Sequence, residues 1–160
     1  MADFSDLLNR LIENQVEFVV VGGFAAVAHG CTLLTMDVDV CCRISAENLL
    51  RVQKAVKDLH PVHRMTPNRL PLALTADSCR GIKNLYMDTD IGPLDCLGEI
   101  AGIGDYDRVR QRSVVAQLEK GECRILAIDA LMEAKRAMDR PRDREAIRQL
   151  EAILEMGHED

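Results

Sequence analysis

Two aspartates, Asp37 and Asp39, are separated by one residue in the short segment Thr35-Met36-Asp37-Val38-Asp39-Val40. Side chains alternate along a strand, so both carboxylates would lie on one face, roughly 7 Å apart. Two carboxylates at that distance repel each other unless a cation lies between them. The spacing fits a cation site, and it fits equally well a half-exposed strand with an acidic outer face.

A third aspartate interrupts a later apolar segment, Pro93-Leu94-Asp95-Cys96-Leu97. A lone aspartate in such a strand is costly to bury without a partner, and the sequence offers no obvious basic partner for it. A metal ion shared with Asp37 and Asp39 would supply that partner. A second Asp-x-Asp, Asp88-Thr89-Asp90, is followed by turn-forming residues and is more typical of a turn than of a metal site.

Two glycines, Gly22 and Gly23, come between a β-branched apolar run at residues 18–21 and an Ala-rich segment that ends at Gly30. Glycine lets the backbone approach a ligand closely, and the start of a helix offers free N–H groups to an anion such as phosphate. A tight turn from strand to helix would explain the same pair. The sequence contains neither G-x-G-x-x-G at this position nor Gly-Lys-Ser/Thr.

These residues need strands and helices to position them, and the hydrophobic pattern predicts both. Strands are predicted at 18–21, 38–42, 83–88, 94–97, 113–118 and 123–126. Helices are predicted at 5–14, 24–29, 106–111 and 129–139, from Ser45 to Pro61, and from Pro141 to near Gly157. Residues 62–76 are predicted to be a loop. We expect Asp3 or Ser5, Ser45 and Asp129 to cap three of the helices.

Strands separated by helices and strands paired as hairpins together indicate an α+β protein. The 160 residues have the size of one domain, so we predict a single domain over 1–160. Within it, we expect a mixed-sheet core at 1–126 and C-terminal helices at 127–160.

Composition disfavours several classes of function. The 20 basic and 26 acidic residues give a net charge of −6, which disfavours bulk binding to nucleic acid. Aromatic residues make up 3%, too few for a base-stacking platform. No apolar run reaches membrane-spanning length and no secretory signal is visible, so we expect a cytoplasmic protein without a membrane contact. The six cysteines form no C-x-x-C pair and are interpreted as reduced core thiols.

Taken together, the motifs resemble those of the nucleotidyltransferase superfamily related to DNA polymerase β. The resemblance is nearest to small bacterial AbiE-type toxins and their minimal relatives, and it covers residues 16–152. The family pattern of strand, Gly-Gly, short helix, His-Gly and T-x-D-x-D is matched by Gly22, Gly23, His29, Gly30, Thr35, Asp37 and Asp39. Asp95 resembles the third family carboxylate, and 131–135 with 140–143 resemble the late helical motif. Leu33 departs from the arginine that many relatives carry there.

The resemblance implies a polymerase β-like fold: a mixed sheet with helices packed on it and a C-terminal helical pair. It implies that Asp37, Asp39 and Asp95 are the catalytic residues and hold two Mg²⁺ ions, with Mn²⁺ as an alternative. It also implies that the nucleotide is contacted by Gly22, Gly23, Thr35 and Lys135.

Two classes of function follow from this resemblance. In the first, the protein transfers a nucleoside monophosphate from a nucleoside triphosphate to a hydroxyl of RNA such as tRNA, of a protein or of a small molecule. In the second, it is a catalytically silent binding module of the same fold, antitoxin-like or a scaffold. The complete aspartate set favours the first class, whereas Leu33 and the short chain favour the second. A homodimer or a partner protein could supply the acceptor-binding part.

Overall fold

The computed structural model describes residues 3–158. The helices are α1 (Phe4–Glu13), α2 (Gly22–Ala28), α3 (Ala46–Val56), α4 (Tyr106–Gln111), α5 (Ile128–Met138) and α6 (Pro141–His158), with a 3₁₀ turn at Lys57–Leu59. The strands are β1 (Phe18–Val21), β2 (Val38–Cys42), β3 (Val62–His63), β4 (Asn84–Thr89), β5 (Gly92–Leu97), β6 (Glu99–Ile100), β7 (Gly104–Asp105), β8 (Ser113–Leu118) and β9 (Gly121–Leu126).

Seven strands form one mixed sheet in the order β3-β4-β5-β2-β1-β9-β8, and β6 pairs with β7 separately. The hairpins β4–β5 and β8–β9 are antiparallel, whereas β5 runs parallel to β2 and β9 parallel to β1. Helices α5 and α6 pack against each other at the C-terminal end. The predicted α+β fold, with a mixed sheet and a C-terminal helical pair, is confirmed.

The central strands follow from their sequences. All four residues of β1, Phe-Val-Val-Val, are buried, as expected for a strand covered on both faces. In β2, Val38 and Val40 are fully buried while Asp39 between them is half-buried. The alternation along the strand therefore separates the core side chains from a carboxylate on the opposite face.

Several predicted boundaries are wrong by a few residues. Helix α2 begins at Gly22, so both glycines belong to its first turn instead of preceding the helix. Helix α5 begins at Ile128 after an extended Ala127, so Asp129 lies in the first turn and does not cap the helix. The helix dipole favours an acidic residue both at the N-cap and in the first turn, so the sequence alone did not distinguish these two positions for Asp129. The caps by Asp3 and Ser45 are confirmed.

The segment predicted as a loop contains one short strand. Residues 62–63 pair with β4 at the edge of the sheet, Pro71 then forms an isolated bridge back to Val62, and the next strand begins at residue 84. Two residues are too few to show alternation, so the pattern could not reveal this strand.

The six cysteines are all free and buried, in agreement with their interpretation as core thiols. Among residues 3–158, no helix combines the length and the apolar character needed to cross a bilayer. The division of one domain at residue 126 stays a prediction, as does the cytoplasmic location.

Candidate active site

Three aspartates converge at the central strands β2 and β5. Asp39 and Asp95 are register partners on the parallel strands β2 and β5, and Asp37 immediately precedes β2. A carboxylate oxygen of each residue lies within 4.8 Å of one from each of the others. The sequence-predicted metal ligands are therefore brought together in space.

The three carboxylates repel one another. The pKa of Asp39 is raised to about 7, chiefly by burial and also by the neighbouring carboxylates Asp37 and Asp95. Burial also raises the pKa of Asp37, with a contribution from Asp95. Each shift expresses the cost of burying negative charge beside other carboxylates, a cost that nearby arginines offset only in part. The donor set, three carboxylates, is the one that Mg²⁺ and Mn²⁺ prefer.

One basic partner exists that the sequence did not reveal. Nη2 of Arg64 lies 2.7 Å from both carboxylate oxygens of Asp95 and donates a hydrogen bond to Oδ2. The expectation that the three carboxylates have no basic partner is therefore wrong for Asp95. Arg64 is 31 residues away in the chain, in a segment without hydrophobic periodicity, so no sequence pattern links the two.

Two buried oxygens at the site make no hydrogen bond with any residue that the structure describes. They are Oγ1 of Thr35 and Oδ1 of Asp95, although Oδ1 is in ion-pair contact with Nη2 of Arg64. A buried polar atom without a partner is costly, so such atoms commonly mark a place where a ligand binds. Both oxygens belong to residues predicted from the sequence to contact the metal or the nucleotide.

The glycine pair packs directly against these side chains. Gly22 has a φ of +69°, and a Cβ on it would lie 2.5 Å from Oδ2 of Asp39. A Cβ on Gly23 would lie 3.1 Å from the hydroxyl of Thr35. Glycine is thus required at residue 22 by both the backbone and the nearby carboxylate, whereas at residue 23 only the space beside Thr35 is limiting.

A cluster of cationic residues faces the aspartates from the C-terminal helices. Lys135 is buried, with Nζ 3.7 Å from Oδ1 of Asp143. Nε of Arg140 donates to Oδ2 of the same carboxylate at 2.6 Å. Burial lowers the pKa of Lys135, and Asp143 opposes that shift. Asp143, which is 1% exposed, therefore holds two cations in place beside the site.

Two cavities meet at the aspartates. The larger, about 490 Å³, runs from the aspartates past Asn84, Tyr86 and Glu99 to an apolar wall formed by β5, β6 and α5. The smaller, about 180 Å³, lies against the glycine pair and residues 33–36. Both cavities are lined by Gly22, Asp37, Asp39, Lys135, Arg140, Arg142 and Asp143.

Arg142 is a further residue whose role the sequence did not single out. It is exposed, lines both cavities, and makes no ion pair within residues 3–158. Its charge lowers the pKa of Asp37, in opposition to burial. An unpaired guanidinium at this position can bind an anion that enters the cleft.

Other residues considered in the sequence lie outside the site. His29 ends α2, and its Nε2 lies 2.8 Å from the carbonyl oxygen of Leu126. In the second Asp-x-Asp, the Thr89 hydroxyl donates to the carbonyl oxygen of Gly92 within the hairpin turn, as predicted. Arg144 and Arg148 form exposed ion pairs on α6.

No protein-family model matches the chain, and no curated protein matches it. Similar solved structures nevertheless exist. The lincosamide antibiotic adenylyltransferase LnuA, solved with lincomycin bound, is 14% identical with a TM-score of 0.61, covering 95% of this chain and 98% of LnuA. ANT(2'')-Ia, solved with adenylyl-2''-tobramycin, is 14% identical with a TM-score of 0.56, covering 94% of this chain and 91% of its own.

A third similar structure is an antigenic nucleotidyltransferase-like protein from Paracoccidioides brasiliensis. It is 12% identical with a TM-score of 0.54, covering 98% of this chain and 78% of that protein. At these identities the likeness shows the fold alone. The chain therefore has the fold of the nucleotidyltransferases, with a carboxylate triad at its central strands β2 and β5.

Proposed function

We propose that this protein is a metal-dependent nucleotidyltransferase, which moves a nucleoside monophosphate from a nucleoside triphosphate to a hydroxyl acceptor. The observation that carries the proposal is the convergence of Asp37, Asp39 and Asp95 within 4.8 Å in a fold shared with adenylyltransferases. Burial and mutual repulsion of these carboxylates favour a bound divalent cation.

Asp37, Asp39 and Asp95 would hold the metal, which we take to be two Mg²⁺ ions, or Mn²⁺, as the family resemblance implies. Bound there, divalent cations polarise phosphoryl oxygens and lower the pKa of an attacking hydroxyl. Oδ1 of Asp95 supports this assignment because it is buried and accepts no hydrogen bond from the described residues, although Nη2 of Arg64 lies 2.7 Å from it.

The triphosphate would occupy the smaller cavity. The first turn of α2, at Gly22 and Gly23, would offer backbone N–H groups to the phosphates, and Thr35 would add a hydroxyl that has no hydrogen-bond partner among the described residues. Lys135 and Arg142 line the same cavity and would neutralise the phosphates. Together these residues would orient the phosphoryl group for in-line attack.

The larger cavity would then receive the acceptor. Among the similar structures, LnuA was solved with lincomycin and ANT(2'')-Ia with adenylyl-2''-tobramycin. For this chain the acceptor stays open between RNA such as tRNA, a protein and a small molecule, with a second subunit or a partner protein completing the site. Membership of the AbiE-type branch, with a role in a toxin–antitoxin pair, is a finer proposal that rests on the sequence motifs.

The test combines a transfer assay with a binding assay. The protein is incubated with Mg²⁺ or Mn²⁺ and each labelled nucleoside triphosphate, with total tRNA and cell lysate as acceptors. We expect label transfer that Asp39→Asn abolishes, and binding of a non-hydrolysable triphosphate by titration calorimetry. If neither wild type nor variant binds nucleotide in the presence of metal, the enzyme proposal is wrong and a silent binding module of this fold takes its place.

A further inference from the structure

Arg64 is fixed at the site by contacts on several sides. Its backbone N–H donates to the carbonyl oxygen of Tyr86 at 3.0 Å, which continues the pairing of β3 with β4 by one residue. Its Nη1 donates to the carbonyl oxygen of Met87 at 3.2 Å, and its guanidinium carbon lies 5.8 Å from the ring centroid of Tyr86. Its Nη2 reaches Asp95, which itself lies opposite Tyr86 on β5.

We propose that Arg64 is a positioning residue for the metal site: its Nη2, which lies 2.7 Å from both oxygens of Asp95, holds that carboxylate in the orientation in which it would share a cation with Asp37 and Asp39. The inference rests on the proposed function, because it assigns Arg64 a role toward the metal that the triad would hold. Because Arg64 lies in the segment between β3 and β4, this segment would contribute to the site through Arg64.

The contacts favour a side chain that positions Asp95 over one that fills the metal site and leaves it when a metal binds. A side chain that a metal displaces would need few contacts apart from the carboxylate. Arg64 instead makes three contacts that do not involve the triad: its backbone bond to Tyr86, its bond to the Met87 carbonyl and its position over the Tyr86 ring. Hydrogen bonds from outer residues to metal-binding carboxylates commonly fix the ligand orientation in this way.

Burial makes the support necessary. The Asp95 side chain is 8% exposed and the Arg64 side chain 25%, so water can solvate the carboxylate only weakly. Arg64 is the one residue within 3–158 that donates a side-chain hydrogen bond to Asp95. Without it, a buried carboxylate would face two others with no cation beside it.

The test uses Arg64→Met, which keeps the apolar stem, beside Arg69→Met as the matched control. Arg69 lies on the same segment and pairs with Asp88 outside the triad, with 54% of its side chain exposed. Mn²⁺ binding is measured by electron paramagnetic resonance without nucleotide. We expect Arg64→Met to lose about 10–100-fold in Mn²⁺ affinity, and Arg69→Met to bind as wild type does. Unchanged or tighter binding by Arg64→Met would overturn the proposal.

A second measurement needs no metal and separates this inference from the proposed function. Melting temperatures in EDTA are compared for Arg64→Met, Asp95→Asn and the double variant. We expect a clear loss for Arg64→Met that largely disappears in the Asp95→Asn background, because no unpaired carboxylate remains there. Additive effects would overturn the support role. If wild type binds no Mn²⁺ but the two substitutions are still coupled in melting temperature, the proposed function is wrong. In that case Arg64 still positions Asp95.

Discussion

Asp39 and Asp95 lie directly opposite each other on the parallel strands β2 and β5. Because register partners on neighbouring strands point to the same face, the pairing places two half-buried or buried carboxylates side by side. Like charges in that position destabilise a sheet, so a cation bound between the two carboxylates would relieve a cost that the strand pairing imposes.

That repulsion predicts the behaviour of Asp39→Asn. At pH 8 in EDTA we expect the variant to be more stable than wild type by on the order of 1 kcal/mol, or about 2–4 °C in melting temperature. The change removes a charge that the fold opposes, while the side chain keeps its size. Differential scanning calorimetry measures it, with the exposed Asp77→Asn as the control.

The pH dependence of this gain has a defined sign. The pKa of Asp39 is raised from 3.8 to about 7 in the folded protein. Stability from protonated Asp39 is fully present below pH 4 and is lost as the pH rises to 7. The gain of Asp39→Asn should therefore grow over that interval and level off above it. A variant that is less stable than wild type at pH 8 would instead show that Asp39 supports the fold.

The sequence carried enough information to predict the strands and the three carboxylates, because those features are local. Residues 18–21 and 38–42 are strands with the predicted bounds, and alternation alone put Asp37 and Asp39 on one face. Arg64 could not be predicted, because its contact with Asp95 depends on how a segment without periodicity folds back along β4.

Of the cationic residues at the site, Lys135 was predicted from the sequence and Arg142 was not, for a related reason. Lys135 stood out in the sequence by its place in a late helical motif, and the structure places it beside both cavities. Arg142 stood among six basic residues between 135 and 148, and nothing local distinguished it from Arg144. Only the packing of α6 against α5 shows which arginine faces the aspartates and which pairs with Asp139 in solvent.

Lys135→Ala should weaken nucleotide binding while sparing metal binding. Its ammonium group lines both cavities, and a charge-assisted contact with phosphate contributes about 10–100-fold in affinity. The fold should survive because Arg140 continues to pair with Asp143. Titration calorimetry with a non-hydrolysable triphosphate, and separately with Mn²⁺, measures the two affinities. Equal losses of both would assign Lys135 to the folding of α5.

Arg142→Ala should lower nucleotide affinity without changing the melting temperature, since the exposed guanidinium has no ion-pair partner within the described part of the chain. The contribution should shrink as salt concentration rises, because an exposed charge is screened. Arg144→Ala, which removes an exposed charge of the same helix, is the matched control. Comparable losses in the two variants would mean that α6 contributes only a general positive field.

The two glycines make the sharpest comparison, since they are adjacent but meet different partners. In Gly22→Ala the new Cβ would lie 2.5 Å from Asp39 Oδ2, at a φ of +69°. We expect this variant to lose stability, by about 1–2 kcal/mol from backbone strain alone, and to lose Mn²⁺ affinity because the carboxylate must move. Thermal melting and Mn²⁺ titration measure the two effects.

Gly23→Ala should separate the nucleotide from the metal. Its Cβ would meet only the Thr35 hydroxyl, at 3.1 Å, and no positive φ adds strain there. We expect near wild-type melting and Mn²⁺ binding, but weaker binding of a non-hydrolysable triphosphate, because the methyl group fills the space between Thr35 and the first turn of α2. Gly23→Val should remove nucleotide binding altogether. A folded Gly23→Val protein that binds the triphosphate with wild-type affinity would show that the glycine pair serves only the turn, and the nucleotide would then have to lie elsewhere in the cleft.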